Sequence, residues 1–379
     1  MADSVALPTD HSIMEALQTE AATKTPRAVR LNHVDGLRAC AALWVLSFHT
    51  WWFGFAHPSQ VPPWYERPFS AGHLGVPIFL VLSGFCLAVP YAGTANPGAD
   101  IRKFAIRRVV RIVPPYWICT VACAALLVAM GRSSFGASGL TDLAWHLALV
   151  QNLSGDHFFT INGSLWSVAL EFQLYFLFPC LLALSRVPSR VLWFGGMVSL
   201  GCWAILRAGG VYDDSAFGHV WWFSAPSFLV IFCMGIWAAR VQHSWPVGRL
   251  SCLALALGLA AVLVDPWSGF YPQTSILLAA SATVCILLAG PRGILAQGLG
   301  WRPLASLGLV SYTLYLIHNP FVSLGGKLLE PRLHGAVLVA GMIGCACIPV
   351  VVAPILFRIL ELPFHRLARS LASAEPARD

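Results

Sequence analysis

The sequence predicts an all-α polytopic membrane protein with about ten transmembrane helices and one short helix that is re-entrant or interfacial. Hydrophobic residues make up 57% of the 379 residues, and charged residues make up only 11%. The apolar residues form runs long enough to cross a bilayer, and the basic residues concentrate in alternate loops. We expect a flexible cytosolic N-terminal tail at 1–30, a membrane domain at 31–366 and a cytosolic C-terminal tail at 367–379.

Ten apolar runs approach the length of about 20 residues that a membrane-spanning helix needs. A further run at 140–153 is too short to cross comfortably and contains Asp142 and His146, so it is predicted to be re-entrant or interfacial. The ten predicted spans lie at 37–55, 73–91, 112–130, 163–184, 191–207, 219–240, 250–264, 274–290, 303–324 and 336–357.

The distribution of Lys and Arg predicts the orientation of these spans. With both termini in the cytosol, only Arg67, Arg132, Arg207, Lys327 and Arg332 fall on the outer face. Counting the short run as a span would invert every later loop, against the positive-inside rule. The cytosolic side then receives Lys24, Arg27, Arg30, Arg38, Arg102, Lys103, Arg107, Arg108, Arg111, Arg186, Arg190, Arg240, Arg249, Arg292, Arg302, Arg358, Arg366, Arg369 and Arg378.

The composition also argues against several classes of partner. The net charge of +7 follows from membrane topology, so we expect no nucleic-acid partner. Residues 1–30 carry no apolar core behind a basic start, and a cleaved signal peptide is not expected. Nearly all of the 11 cysteines lie in apolar runs without metal-ligand spacing, so we interpret them as small buried hydrophobic residues and expect no metal. Membrane lipids are expected neighbours, and the oligomeric state is open.

Two polar residues mark the first predicted span. Arg38 opens the apolar run and His49 lies eleven positions further on. Eleven helical residues make three turns plus about 20° and rise ~16 Å, so both side chains share one stripe, about half a bilayer apart. An ionisable residue inside hydrocarbon is costly, which makes His49 a functional candidate. The alternative is a histidine that only hydrogen-bonds a neighbouring helix.

A basic cluster precedes the third span. Arg108 and Arg111 are three residues apart, so they share a helix face and could grip a polyanion with forked hydrogen bonds. The alternative is an anchor for anionic lipid headgroups. Arg38 is predicted at the same level, which favours the polyanion. The cluster comprises Arg102, Lys103, Arg107, Arg108 and Arg111.

Glu171 is predicted to be the only one of the 17 acidic residues well inside a span. Its run enters from the outer face, which places Glu171 ~12 Å below that surface, while His49 is ~9 Å below it. A carboxylate can orient an imidazole and balance its charge, so we expect Glu171 to support His49 as a general base. The alternative is a structural Glu bonded to Ser or Tyr on other helices.

Weaker signals surround these residues. Pro77 and the Ser83-Gly84 pair break the second span, which would let backbone approach a ligand but better suits close helix packing. His318 lies in the outer half of the ninth span, beside Asn-Pro, and could line an acceptor pocket.

In these motifs the chain resembles the bacterial integral-membrane acyltransferase family three, whose members O-acylate sugars of surface glycans, Nod factors or macrolides. The resemblance implies that Arg38 and His49 match the family's paired arginine and histidine, and that Arg108 and Arg111 match its arginine pair. Ala39-Cys40 replaces the Gly-Leu of many members. The resemblance covers residues 32–366 and rests on Asp35-Gly36-Leu37-Arg38 with His49, Ser83-Gly84-Phe85, Arg108-Val109-Val110-Arg111-Ile112-Val113-Pro114, Trp166-Ser167 with Glu171 and Tyr175, Ser311-Tyr312-Thr313-Leu314-Tyr315-Leu316-Ile317-His318, and Glu361-Leu362-Pro363.

Residues and resemblance together predict an inner-membrane O-acyltransferase whose donor is acyl-CoA, with acetyl the expected group, and whose acceptor is a hydroxyl of a sugar or glycoconjugate. His49 would act as base with Glu171, or would carry the acyl group itself; the sequence leaves both open. A small natural product such as a macrolide is the alternative acceptor. A transporter or flippase is the alternative class, and it predicts inverted repeats that the sequence does not display. The predicted donor site comprises Arg38, Arg108, Arg111 and Ser83, and the predicted acceptor pocket comprises Tyr175, Trp166 and His318.

Overall fold

A computed structural model describes residues 31–56, 62–95, 98, 100–131, 136–211, 216–241, 247–265 and 272–373. The predicted tail at 1–30 and the end of the other tail, 374–379, lie outside the described residues. Over the described ranges the chain is helical and contains no β-strand, which confirms the all-α prediction. The helices are α1 (Asn32–Gly54), α2 (Arg67–Ser70), α3 (Gly75–Ala88), α4 (Ile101–Ala129), α5 (Ala137–Leu147), α6 (Trp166–Leu184), α7 (Pro188–Ala208), α8 (Ala216–Trp222), α9 (Ala225–Val241), α10 (Val247–Val264), α11 (Pro272–Ala289), α12 (Ile294–Leu299), α13 (Arg302–Leu309), α14 (Ser311–Leu329), α15 (Gly335–Leu356) and α16 (Leu362–Ser373).

Many of the helices have the length and the apolar surface of membrane-spanning segments. Helices α7 and α15 expose large apolar side chains such as Trp193, Met197, Ile205 and Val351, which are 68–73% accessible and suit contact with lipid. The chain is thus a multi-pass membrane protein, although a count of ten spans stays a prediction. In the described ranges, seven segments are long and apolar enough to cross: Arg67–Tyr91, Ile101–Ala129, Trp166–Leu184, Pro188–Ala208, Val220–Val241, Gln273–Arg292 and Gly335–Ser373.

Two regions differ from the predicted spans. The run at 303–324 is not one helix, because α13 ends at Leu309 and α14 begins at Ser311. At this break a Cβ on Gly308 would lie 1.8 Å from the carbonyl oxygen of Asp35, so only glycine lets α13 approach α1 this closely. The last helix also continues past the predicted end at 357, through one π-helical turn, Phe357–Glu361, and into α16.

Reciprocal glycines join α3 to α9. A Cβ on Gly84 would lie 2.2 Å from the carbonyl oxygen of Phe232, and a Cβ on Gly235 would lie 2.0 Å from that of Val81. Small residues of this kind let helix backbones approach closely in membranes. Gly84 therefore serves close helix packing, the interpretation that the sequence favoured.

We expect Gly235→Ala to lower the melting temperature in detergent, because its methyl group must push α9 away from α3; overpacking of this kind costs about 1–3 kcal/mol. Gly196→Ala in α7 is the matched control, since a Cβ there has no neighbour within 4 Å. The control should melt at or slightly above the wild-type temperature because alanine favours helix. Equal melting temperatures for the two variants would contradict the packing argument.

Candidate functional site

One cavity of about 360 Å³ gathers most of the residues that the sequence predicts for a site. It lies between α1, α3, α4, α6 and α14, with contributions from α13 and α16. The predicted donor residues all line it, together with Glu171 and Tyr175. The lining residues are Arg38, Val76, Phe79, Leu80, Ser83, Cys86, Arg108, Arg111, Ile112, Ser167, Val168, Glu171, Tyr175, Gly308, Leu309, Ser311, Tyr312, Tyr315, Phe357 and His365.

Helix α4 carries Arg108 and Arg111, two of the three arginines that line the cavity. The Asp100 side chain caps the helix by accepting a hydrogen bond of 3.0 Å from the backbone N–H of Lys103, and this bond lowers the pKa of the Asp100 carboxyl. About two turns beyond Asp100, Arg108 lies over the Tyr175 ring, 5.6 Å from its centroid, in cation–π geometry. Arg38 approaches from α1, where its Nη1 lies 3.8 Å from Asp35 Oδ1.

A chain of hydrogen bonds crosses the cavity from α6 to α3. The Tyr175 hydroxyl donates to Glu171 Oε1 over 2.5 Å, and the Ser83 hydroxyl lies 3.0 Å from the Tyr175 oxygen. Because the Tyr175 proton is committed to the carboxylate, Ser83 donates to Tyr175. The structural alternative expected a bond from Glu171 to Ser or Tyr on another helix, whereas Tyr175 lies on the same helix, α6, and Glu171 also faces the arginine cavity.

Arg111 lies near a fully buried carboxylate, that of Glu361. This residue lies outside the last predicted span. Glu361 accepts a hydrogen bond of 2.7 Å from the Thr313 hydroxyl. Its Oε1 lies 3.9 Å from Arg111 Nη2 and 3.0 Å from His365 Nε2. A second carboxylate therefore lies beside the arginines, in addition to Glu171. The i,i+4 spacing of Glu361 and His365, which puts both on one helix face, is the signal that could have revealed the pair.

His49 and His318 meet outside the cavity lining. His318 Nε2 lies 3.1 Å from His49 Nδ1, and the ring centroids are 4.9 Å apart. The His318 ring in turn lies 5.4 Å from the Tyr315 ring, and Tyr315 does line the cavity. The histidine pair therefore lies directly behind one wall of the cavity.

Pro320 interrupts the backbone hydrogen bonds of α14 close to the histidine pair, His49 and His318. Pro320 has no N–H, so the carbonyl of Leu316 lacks its partner within the helix. The Asn162 amide and the Cys119 thiol donate to that carbonyl over 3.0 and 3.2 Å. Side chains from outside α14 thus satisfy the freed group and fix the helix where His318 points to α1.

Two predicted relationships differ in the structure. Glu171 makes no hydrogen bond with His49 in the described part of the chain; their partners are Tyr175 and His318. Trp166 does not line the cavity and packs in an aromatic cluster, 4.9 Å from the Phe223 ring centroid. Tyr175 shares the cavity of the arginines and does not form a separate pocket. Over the described ranges no group of three or more His, Cys, Asp or Glu side chains could hold a metal ion.

Comparison with known proteins gives a consistent result. The acyltransferase MdmB of Streptomyces mycarofaciens is 28% identical over 382 positions, which cover 93% of this chain and 97% of that protein. The O-acetyltransferase OatA of Staphylococcus aureus is 26% identical over 328 positions, 77% of this chain and 50% of OatA. YrhL of Bacillus subtilis, named as a candidate peptidoglycan O-acetyltransferase, is 27% identical over 346 positions, 81% of this chain and 51% of YrhL. The chain thus spans about half the length of OatA and YrhL.

A family profile described as an acyltransferase domain matches residues 31–358, which is most of the chain. The profile agrees with the resemblance carried by the sequence motifs, and the names of the relatives agree on the reaction. The chain therefore belongs to this integral-membrane acyltransferase family, and it is an O-acyltransferase.

Proposed function

We propose that the enzyme transfers an acyl group, acetyl in the expected case, from acyl-CoA to a hydroxyl group of a sugar or glycoconjugate. The observation that most supports this proposal is the cavity that joins three arginines to a bonded Glu171, Tyr175 and Ser83. Guanidinium groups bind phosphate through paired, charge-assisted hydrogen bonds, and CoA is rich in phosphate.

The cavity also suits the rest of the donor. Apolar and aromatic side chains such as Phe79, Leu80 and Tyr315 line it beyond the arginines, and they would surround the thin pantetheine arm. The basic residues favour a cytosolic location for the arginine end and for both termini, so the donor enters from the cytosol.

His49 is the proposed base. It removes the proton of the acceptor hydroxyl while the oxygen forms a bond to the thioester carbonyl carbon. The carbon–sulfur bond then breaks, and the thiolate of CoA takes the proton from His49. To reach His49 from the cavity the thioester must pass Tyr315, whose ring lies in the cavity wall and contacts that of His318.

The names of the relatives support the acyl group and the acceptor class. OatA and YrhL are both named as O-acetyltransferases, and the name of YrhL specifies peptidoglycan. We therefore propose a glycan or glycopolymer hydroxyl as the acceptor.

A donor comparison tests the proposal. In proteoliposomes, the purified enzyme should release CoA thiol from labelled acetyl-CoA only when a glycan acceptor is present, with label appearing on the acceptor. The acetyl thioester of N-acetylcysteamine, which lacks phosphates, should need a far higher concentration for the same rate, because it cannot engage the arginines. Equal use of both thioesters would remove the arginines from donor binding. Glycan movement without CoA release would instead favour a transporter.

A further inference from the structure

We propose that His318 is a positioning residue for acyl transfer: together with the Val45 carbonyl it holds His49 in the tautomer that leaves Nε2 of His49 unprotonated, and it shares the charge when His49 gains a proton. This inference rests on the proposed role of His49 as base. The experiments below separate the failure of one from the failure of the other.

The first step concerns the protons of His318. Its Nδ1 lies 2.7 Å from the backbone carbonyl oxygen of Tyr315. A carbonyl oxygen only accepts, so Nδ1 carries the hydrogen. In a neutral imidazole the other nitrogen is then an acceptor. The Nε2 of His318, which faces His49, therefore presents a lone pair.

The second step transfers this constraint to His49. Its Nδ1 lies 3.0 Å from the carbonyl oxygen of Val45 and 3.1 Å from His318 Nε2. Both neighbours are acceptors, so the Nδ1 of His49 carries the hydrogen and shares it between them. The Nε2 of His49 has no hydrogen-bond partner among the described residues, and in this tautomer it is the basic nitrogen.

The third step follows the proton. When His49 takes a proton at Nε2, its Nδ1–H becomes a charged donor, and its bond to His318 becomes charge-assisted. His318 thus does for His49 what the sequence predicted for Glu171. It does so as a neutral residue that is 1% exposed, so no second charge must be buried.

Contacts made by the neighbours of His318 keep its imidazole in position beside that of His49. Leu316, two residues earlier, is tied to Asn162 and Cys119 through the carbonyl that Pro320 frees. The position of His318 is therefore maintained by bonds that do not involve His49, as a positioning role requires.

We expect His318→Leu to lower kcat by about 10- to 100-fold while the KM for acetyl-CoA stays unchanged, because only a charge-assisted bond of the transition state is lost. His318→Gln should recover much of that loss, since its side-chain oxygen can accept from His49 Nδ1. His146→Gln is the matched control: His146 is also fully buried and also bonds a backbone carbonyl through Nδ1, 2.9 Å from Asp142 O. It should leave kcat and KM unchanged.

Nitrogen NMR of histidine-labelled enzyme supplies a readout that a structural role would not move. The His49 signal, identified by its loss in His49→Gln, should report protonated Nδ1 and bare Nε2 in the wild type and in His318→Gln. A wild-type His49 protonated at Nε2 would overturn the inference, even if His318→Leu fails to fold.

The kinetic outcomes separate the two proposals. A folded His318→Leu enzyme with kcat within two-fold of wild type, beside an inactive His49→Gln enzyme, would overturn the positioning role and leave the base intact. Retained activity in His49→Gln would remove the base itself. A raised donor KM with unchanged kcat in His318→Leu would assign His318 to donor binding and would also overturn the inference.

Discussion

His49→Gln is expected to lower acyl transfer at saturating acetyl-CoA by roughly 10²- to 10⁴-fold, the usual contribution of a positioned acid–base group. Glutamine is nearly isosteric with histidine and can keep the hydrogen bond to the Val45 carbonyl, which lies 3.0 Å from Nδ1. It cannot exchange a proton at neutral pH. The variant therefore removes the chemistry and retains the packing. The measurement is acylated product per purified enzyme.

Expression and thermal stability in detergent serve as the control for this variant, and both should stay close to wild type. A stable His49→Gln enzyme that transfers within a few-fold of wild type would exclude His49 from proton transfer. Glu171, which lines the cavity, would then be the remaining candidate base.

The double variant Arg108→Ala, Arg111→Ala is expected to raise the KM for acetyl-CoA by about 10²- to 10⁴-fold if the two losses add, because each charge-assisted contact contributes about 1.5–3 kcal/mol. Both residues line the cavity, and kcat at saturation should change far less. Arg108→Ala alone is the cleaner variant, since Arg111 also lies 3.9 Å from buried Glu361 and its loss weakens that cluster. Initial rates over a range of donor concentrations measure the effect.

Arg186→Ala with Arg190→Ala is the matched control for charge. Both side chains are exposed, are predicted on the same membrane face and do not line the cavity. Their loss should leave the donor KM unchanged. If both double variants behave alike, the arginines of α4 act only as anchors for anionic lipid headgroups.

The sequence predicted correctly those features that depend on position along a helix or on the membrane face to which a loop belongs. Arg38 and His49 do lie on one helix, α1, because a continuous apolar run leaves no other structure possible in a membrane. The small residues Ser83 and Gly84 likewise predicted correctly that α3 packs closely against a neighbouring helix. The positive-inside rule predicted that Arg38, Arg108 and Arg111 lie at the same depth in the membrane, and all three line the cavity.

Relationships between helices could not be predicted in this way. Depth in the bilayer placed Glu171 and His49 at one level, yet depth does not determine which way a helix face points. Glu171 points to Tyr175, and His49 points to His318. The break between α13 and α14 also escaped prediction; beside it, Gly308 approaches the backbone of Asp35, which is far away in the sequence.

The separation of the histidine pair has a consequence for biosynthesis. His49 and His318 are 269 residues apart. At about 5–20 residues per second, the ribosome adds His318 roughly 13–54 s after His49. For most of that interval α1 is already made, but the imidazole that contacts His49 and the glycine that packs on Asp35 are not. Assembly of the site is therefore among the last events of synthesis, and a nascent chain released before α14 would leave ionisable groups of its first helix exposed to lipid.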